Sequence, residues 1–501
     1  MNPRIHVTIA LLFFVILISL IFLLQGTIES YSKLLRQVAI IIGLVFVASL
    51  FALRESPEKK NRNLLEIGII NRFVRWKYYK LFLQIPTLLI FLVVLFFGFF
   101  GPVNSALNVN TILTWTIWWA AVIFTFVLAG RLWCTACPFG FLGDISQKVF
   151  SLRKKFPRRE NGLKIQMPLF LIFTLSFVFF GVLSSPIYTS YFIIVLSVAA
   201  VGFALIFEKR AFCRYICPIG AVTGLYSMVS PIELRSKDCD TCKSHLKKNC
   251  FESCSMGEYI GNMKSNYNCN FCMDCVKACP KNNIVLRFRN FGSDLWSTNM
   301  GIAGSIAALL IIGVSIIQTV AMMGPWPAFQ NTIASVSGIF NPSIVYLLSF
   351  FLIVIGLPLG AYAIFVFMSN KLSGTKESFA KTFSVYGLMF MPLGIAIHLA
   401  HNVAHLLVEG FQIIPAAAFS FGATTHKLIA VSPVQNETVF WIQSFILFAG
   451  YFLSLLIGHK LSLRYGEKRF RTFIPMIVFT IIIMLVGLYI FGLPMNAAHT
   501  H

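Results

Sequence analysis

The chain has 501 residues, of which 57% are hydrophobic and only 12% charged, with a mean hydropathy of +0.79. Soluble domains carry about twice that charge, so the composition excludes a soluble globular protein and points to a membrane. The net charge of +23 would suggest nucleic acid in a soluble chain. Lys and Arg concentrated in cytoplasmic loops explain it more simply, and nucleic acid is not expected as a partner.

Crossing the ~30 Å hydrocarbon core takes about 20 helical residues. Apolar runs of that order begin near residues 7, 37, 81, 111, 166, 190, 299, 343, 384, 438 and 472. The expected fold is therefore an all-α polytopic membrane protein of about 11 transmembrane helices. The first run, Val7 to Leu24, follows Arg4 but is long for a signal peptide and lacks an A-x-A cleavage site, so it reads as a retained anchor. With Met1 inside, the segments 54–80 and 131–165 lie in the cytoplasm, each rich in Lys and Arg. The outer segments then hold only three basic residues, Lys33, Arg36 and Lys427. Charge thus predicts an inner-membrane protein with its N-terminus in and its C-terminus out.

Residues 1–230 form an N-terminal membrane region of six runs. Its fourth and sixth end alike, in Gly130-Arg131-Leu132-Trp133-Cys134-Thr135-Ala136-Cys137-Pro138-Phe139-Gly140 and Arg210-Ala211-Phe212-Cys213-Arg214-Tyr215-Ile216-Cys217-Pro218-Ile219-Gly220. This is an internal repeat of a helix hairpin. The Pro is expected to end each span, and the Gly to let the backbone turn away from the membrane. Trp115, Trp118, Trp119 and Trp133 read as interfacial anchors.

Residues 231–292 are polar and cysteine-dense, the one soluble module, expected on the cytoplasmic side. Its second half, Cys269-x2-Cys272-x2-Cys275-x3-Cys279-Pro280, has the spacing that holds iron–sulfur clusters in bacterial ferredoxins. Its first half, Cys239-x2-Cys242-x7-Cys250-x3-Cys254, is a stretched copy. All twelve cysteines fall on the predicted cytoplasmic side, where a reducing pool disfavours disulfides and leaves the thiols free as ligands. The ligand exchange of two-cluster ferredoxins assigns Cys239, Cys242, Cys250 and Cys279 to one [4Fe–4S] cluster, and Cys254, Cys269, Cys272 and Cys275 to the other. The module is thus expected to be a small α+β two-cluster ferredoxin-like insert. Zinc on four thiolates is the plainer alternative; four surplus cysteines and the Cys-Pro ending weigh against it. The quartet Cys134, Cys137, Cys213 and Cys217 has two readings: a third cluster at the membrane surface, or inert buried thiols. Soft thiolates also suit Cu(I).

These motifs resemble the membrane polyferredoxins of the NapH, NosR and CcoG type, which YccM-like proteins join. The resemblance rests on Gly130-Arg131…Cys134…Cys137-Pro138-x-Gly140, on Cys213-x3-Cys217-Pro218-x-Gly220-Ala221 and on the module after them, about residues 80–290. It implies a membrane electron carrier that links the quinol pool to a partner oxidoreductase, or one tied to copper-enzyme maturation. Two features depart from the family. The first pair is C-x2-C-P where C-x3-C-P is usual, and the long region after the module has no NapH-like counterpart.

Residues 293–501 form a C-terminal membrane region without cysteine. In its run Met391 to His405, His398, His401 and His405 share one helix face. Gly394, Ala396, Ala400 and Ala404 would admit a neighbouring helix or a flat ring. Ionisable groups inside a membrane are costly and usually functional. Three readings compete: a haem b or copper site completed by His426, a quinol site with imidazole as proton acceptor beside Glu409, and histidines bonded to backbone carbonyls. His459 lies at the wrong depth to pair with His401 or His405.

Together these readings predict an electron-transfer subunit of an oxidoreductase, quinol dehydrogenase-like. It would pass electrons between quinone, or an outer-side redox protein, and the cytoplasmic clusters, by way of haem b in one version. Its partners would be the lipid bilayer, a cytoplasmic electron donor or acceptor and other subunits of a redox complex. The alternative is an iron–sulfur factor that handles copper for a partner enzyme.

Overall fold

A computed structural model describes residues 63–157, 162–244, 249–422, 434 and 436–494. The runs near residues 7 and 37, and His426, lie outside the described residues. Each of the other nine runs is helical. Eight stretches among the described residues are long and apolar enough to cross a bilayer; the last of them, Glu437–Phe491, joins two runs across a kink at Gly466.

A short amphipathic helix α1 (Gly68–Arg75) leads into α2 (Tyr79–Phe100) and α3 (Val109–Ala129). The middle of α3, Ile112–Trp118, is wound as a π-helix, closed by the Trp119 N–H donating to the Thr114 carbonyl. Two short helices follow, α4 (Leu132–Ala136) and α5 (Pro138–Val149), and then α6 (Gly162–Phe179) and α7 (Pro186–Ile206). A π-turn over Phe212–Ile216 precedes α8 (Gly220–Ser227).

The chain does not leave the bundle at the first Cys-Pro, as the sequence predicts, but folds back into it. Gln84 Nε2 donates to the Thr135 carbonyl at 3.1 Å, Thr87 to that of Ala136, and the Phe139 ring meets Phe91 at 5.8 Å. These partners climb α2 in order. Phe91 is twelve residues from Tyr79, about 18 Å along a helix rising 1.5 Å per residue. Helix α5 then returns along α7, with Gly143 against Ala204 and Gln147 Nε2 on the Phe207 carbonyl at 2.9 Å. Polar backbone at this depth is tolerated because it is buried in protein and finds donors there.

The module is built on an antiparallel pair, β1 (Ile232–Ser236) and β2 (Ile284–Phe288), in register Ile232↔Phe288 to Ser236↔Ile284. The strand pair brackets the cysteine loops. Leu234, Val276, Ile284 and Leu286 form its core with Val74 of α1 and Tyr79 of α2, so the module is packed onto the bundle. An ionic knot joins the strands to Asp294, and through Arg289 to the carbonyls of Ser227 and Met228 at the end of α8. Arg235 reaches Asp294 at 3.1 Å, Arg289 pairs with Asp294, and Arg287 bonds Glu233 at 2.6 Å.

The C-terminal region contributes α9 (Gly301–Val320), α10 (Pro342–Ser373), α11 (Met391–Glu409), α12 (Asn436–Ser462) and α13 (Arg469–Phe491). Helix α11 is buried throughout from Met391 to His398.

Candidate functional site

The repeat brings the four membrane cysteines together. Cys213 lies within electrostatic reach of Cys217, Cys137 and Cys134, and Cys217 within reach of Cys137 and Cys134. Each of the four cysteine residues is half-buried. Burial nevertheless pushes the Cys137 thiol up to about 11 and that of Cys217 up to about 12. Burial also holds Cys213 well above its ordinary value, with Arg210 opposing.

The unequal spacing of the two pairs is resolved by the turns. In the first, the Cys137 N–H bonds the Trp133 carbonyl at 2.8 Å, an α-turn; in the second, the Cys217 N–H bonds the Phe212 carbonyl at 2.8 Å, a π-turn. Both turns close on the residue just before the first cysteine. The π-turn absorbs the extra residue, so C-x2-C and C-x3-C present equivalent pairs. After each pair the Pro carries no N–H, and the amides that follow, of Phe139 and Gly140 beside Cys137 and of Ile219 beside Cys217, favour the thiolates and oppose burial.

Two equivalent buried arginines cross between the repeats. Arg131, from the first, donates to the Cys213 carbonyl at 3.2 Å and the Tyr267 carbonyl at 2.7 Å. Arg210, from the second, donates to the Cys134 carbonyl, and its other nitrogens grip Asp144 at 2.9 and 2.6 Å. Burial works to discharge Arg131, but Cys134, Tyr267 and Cys213 outweigh it. Two glycines make room for this clasp. Gly130 has φ 60° and ψ −143°, a region essentially restricted to glycine, and a Cβ there would lie 2.9 Å from Phe271. A Cβ on Gly140 would lie 2.8 Å from the Arg210 guanidinium.

The sequence reading missed Gln84 and Gln166. Gln166 Nε2 donates to the Cys213 carbonyl at 3.2 Å, as Gln84 does to that of Thr135. The signal was present, since Gln84-Ile85-Pro86 and Gln166-Met167-Pro168 recur in step with the cysteine pairs.

In the module, one cavity of about 360 Å³, open to solvent, is lined by Cys242, Cys250 and Cys279, while Cys239 is exposed at the start of the short helix Cys239–Ser244. A second, of about 370 Å³, is lined by Cys254, Cys269, Cys272 and Cys275. Seven of the eight module cysteines thus line one cavity or the other, three in the first and four in the second. Phe271 and Met273, at φ 53° and 61°, bend the loop so that its cysteines turn inward. Polar groups converge on the sulfurs: Asn283 Nδ2 on Cys242 at 3.2 Å, Asn283 N on Cys279 at 3.4 Å and Glu258 N on Cys254 at 3.3 Å. Thr135, between the first membrane pair, donates to the Asn270 carbonyl at 2.5 Å, tying the quartet to the second cavity. Among the described residues, no three His, Cys, Asp or Glu side chains close up as around a single ion.

The histidines divide. His398 is buried, with the Tyr226 hydroxyl 2.8 Å from Nδ1 and Nε2 without a hydrogen-bond partner. His405 pairs with Glu409 at 2.7 Å, and its ring meets His401 at 4.7 Å. The small residues of α11 admit helices: Gly394 packs on Ile312 of α9, and Ala396 on Gly450 of α12. The tryptophans are not anchors: Trp119 is buried, and Trp118 and Trp133 pack against the core.

A family profile described as a 4Fe–4S binding domain matches residues 111–159 and again 189–236, once over each membrane cysteine pair. The chain is 29% identical over 141 residues to the Escherichia coli protein named "Putative electron transport protein YccM", covering 26% of this chain and 37% of that one. Two Methanocaldococcus jannaschii proteins are also similar. MJ0749 is 28% identical over 168 residues, 65% of its length, and MJ0750 30% identical over 179 residues, 73% of its length. The chain thus spans little more than a third of YccM. No solved structure matches.

Proposed function

The chain belongs to the YccM-like family of 4Fe–4S membrane proteins, and on that premise we propose that it carries electrons from a quinol-class donor, through a cluster site at the quartet, to two cluster sites in the module. The observation that carries this reading is the quartet itself. Four thiols from two repeats gather between crossed arginines, under both family matches, and Thr135, between the first pair, bonds the loop that lines a module cavity. When bound, [4Fe–4S] clusters supply one-electron redox chemistry. The chain's own residues hold, insulate and tune them.

Arg131 and Arg210 offset the negative charge that four thiolates impose on a buried site, which would otherwise be costly. The amides of Phe139, Gly140 and Ile219 lie beside the sulfurs and favour their charged form, and hydrogen bonds to cluster sulfurs help set the potential. The positive-inside distribution of Lys and Arg supports a cytoplasmic module, and the exposed Cys239 makes the first module site the exit toward a soluble acceptor.

The test is reduction of the purified protein by a short-chain quinol, followed through the visible absorbance of its clusters. The wild type is expected to bleach. Cys134→Ser with Cys137→Ser is expected to retain the module clusters, reducible by dithionite, but to lose their reduction by quinol. Bleaching of that variant at the wild-type rate, or copper retained in place of cluster iron, would contradict the reading.

A further inference from the structure

A file of rings starts at the quartet. Trp133 adjoins Cys134, and its indole meets Trp118 at 5.7 Å between centroids. Trp118 meets Trp119 at 5.8 Å, and Trp119 meets the His398 imidazole at 6.0 Å. Each step lies within the ~4.5–7 Å over which aromatic rings interact. Trp118 and Trp133 meet only because α4 folds back beside α3.

Two further observations distinguish the file from ordinary packing. The π-helix ends at Trp118, so the extra residue in its turn lies where the file passes from Trp118, which meets Trp133, to Trp119, which meets His398. Such segments inside α-helices are frequent at functional sites. His398 is also held in a way that packing alone does not ask for. Tyr226 fixes Nδ1 at 2.8 Å while Nε2 remains buried and without a partner, and an unsatisfied buried polar atom requires a reason.

We propose that Trp133, Trp118, Trp119 and His398 form the electron path between the quartet and α11, with Tyr226 as the positioning residue that orients the imidazole. The proposal rests on the functional reading above and names its route. Tunnelling falls steeply across saturated hydrocarbon, and rings in van der Waals succession lower that barrier. Electrons cross one at a time, and no bond forms or breaks along the file. The quinol loses two electrons and two protons. The protons leave at the donor's end, where His405 and Glu409 pair at 2.7 Å, and the electrons reduce two cluster equivalents in turn.

The test repeats the quinol-bleaching assay on the full chain with three variants, each checked for unchanged cluster content and low-temperature EPR spectrum. Trp118→Leu removes the central ring, and its bleaching rate is expected to fall about tenfold, equivalent to about 1.4 kcal/mol of barrier. Trp118→Phe restores a ring and is expected to recover most of the rate. Trp115→Phe alters an indole outside the file, bonded to Thr189, and is expected to match the wild type. If quinol does not bleach the wild type, the functional reading fails and the path with it. If it does and Trp118→Leu keeps pace, the path alone is overturned. Equal loss in Trp118→Leu and Trp115→Phe would also overturn it, since the effect would then be one of packing.

Discussion

Arg131 and Arg210 occupy the same place in two copies of one motif, yet they differ in what neutralises them. Arg210 is held by Asp144 through two short bonds, whereas Arg131 donates to the carbonyls of Tyr267 and Cys213, so its charge bears on the cysteines with less compensation. Reduction adds negative charge to a cluster, which a nearby cation stabilises. Arg131→Gln is therefore expected to retain the quartet cluster but to lower its midpoint potential by about 60 mV, or about 1.4 kcal/mol for one electron. Arg210→Gln leaves Asp144 unpaired in a half-buried setting and is expected to cost up to about 3–5 kcal/mol, seen as cluster loss on mild heating. A redox titration monitored by EPR separates the two; equal potentials in Arg131→Gln and the wild type would remove the electrostatic role. The cysteines and arginines were legible in the sequence because ligand spacing is local. Gln84 and Gln166 were not read, because their meaning lies in carbonyls 51 and 47 positions away.

The elements carry the second lesson. Hydropathy found nine of the helices now described, because transfer from water depends on length and composition, which a sequence displays. It could not give direction after a Pro, so the return of α4 and α5 into the bundle was read as an exit. The tryptophans were read as anchors for the same reason, since their ring contacts depend on that return and on a π-helix that no propensity predicts. The two Cys turns also make a prediction. If the π-turn at Phe212–Ile216 serves only to absorb one residue, deletion of Ile216 converts it to the α-turn of the first pair. The quartet cluster and its EPR signal are then expected to survive, and their loss would mean that the extra residue sets the sulfur geometry.

At the scale of the molecule, the module is joined to the bundle by a shared core and an ionic knot, which keeps three cysteine sets in fixed relation. The region after residue 293, which the family resemblance left unexplained, supplies α11 and, through His398, the far end of a route to the quartet. The central claim is that twelve cysteines hold three clusters rather than two, and counting iron and acid-labile sulfide in the purified protein tests it most directly. At four iron atoms per four-cysteine site, the account predicts about twelve iron atoms per chain, falling to about eight in Cys213→Ser with Cys217→Ser. About eight in the wild type, unchanged by that double substitution, would contradict it.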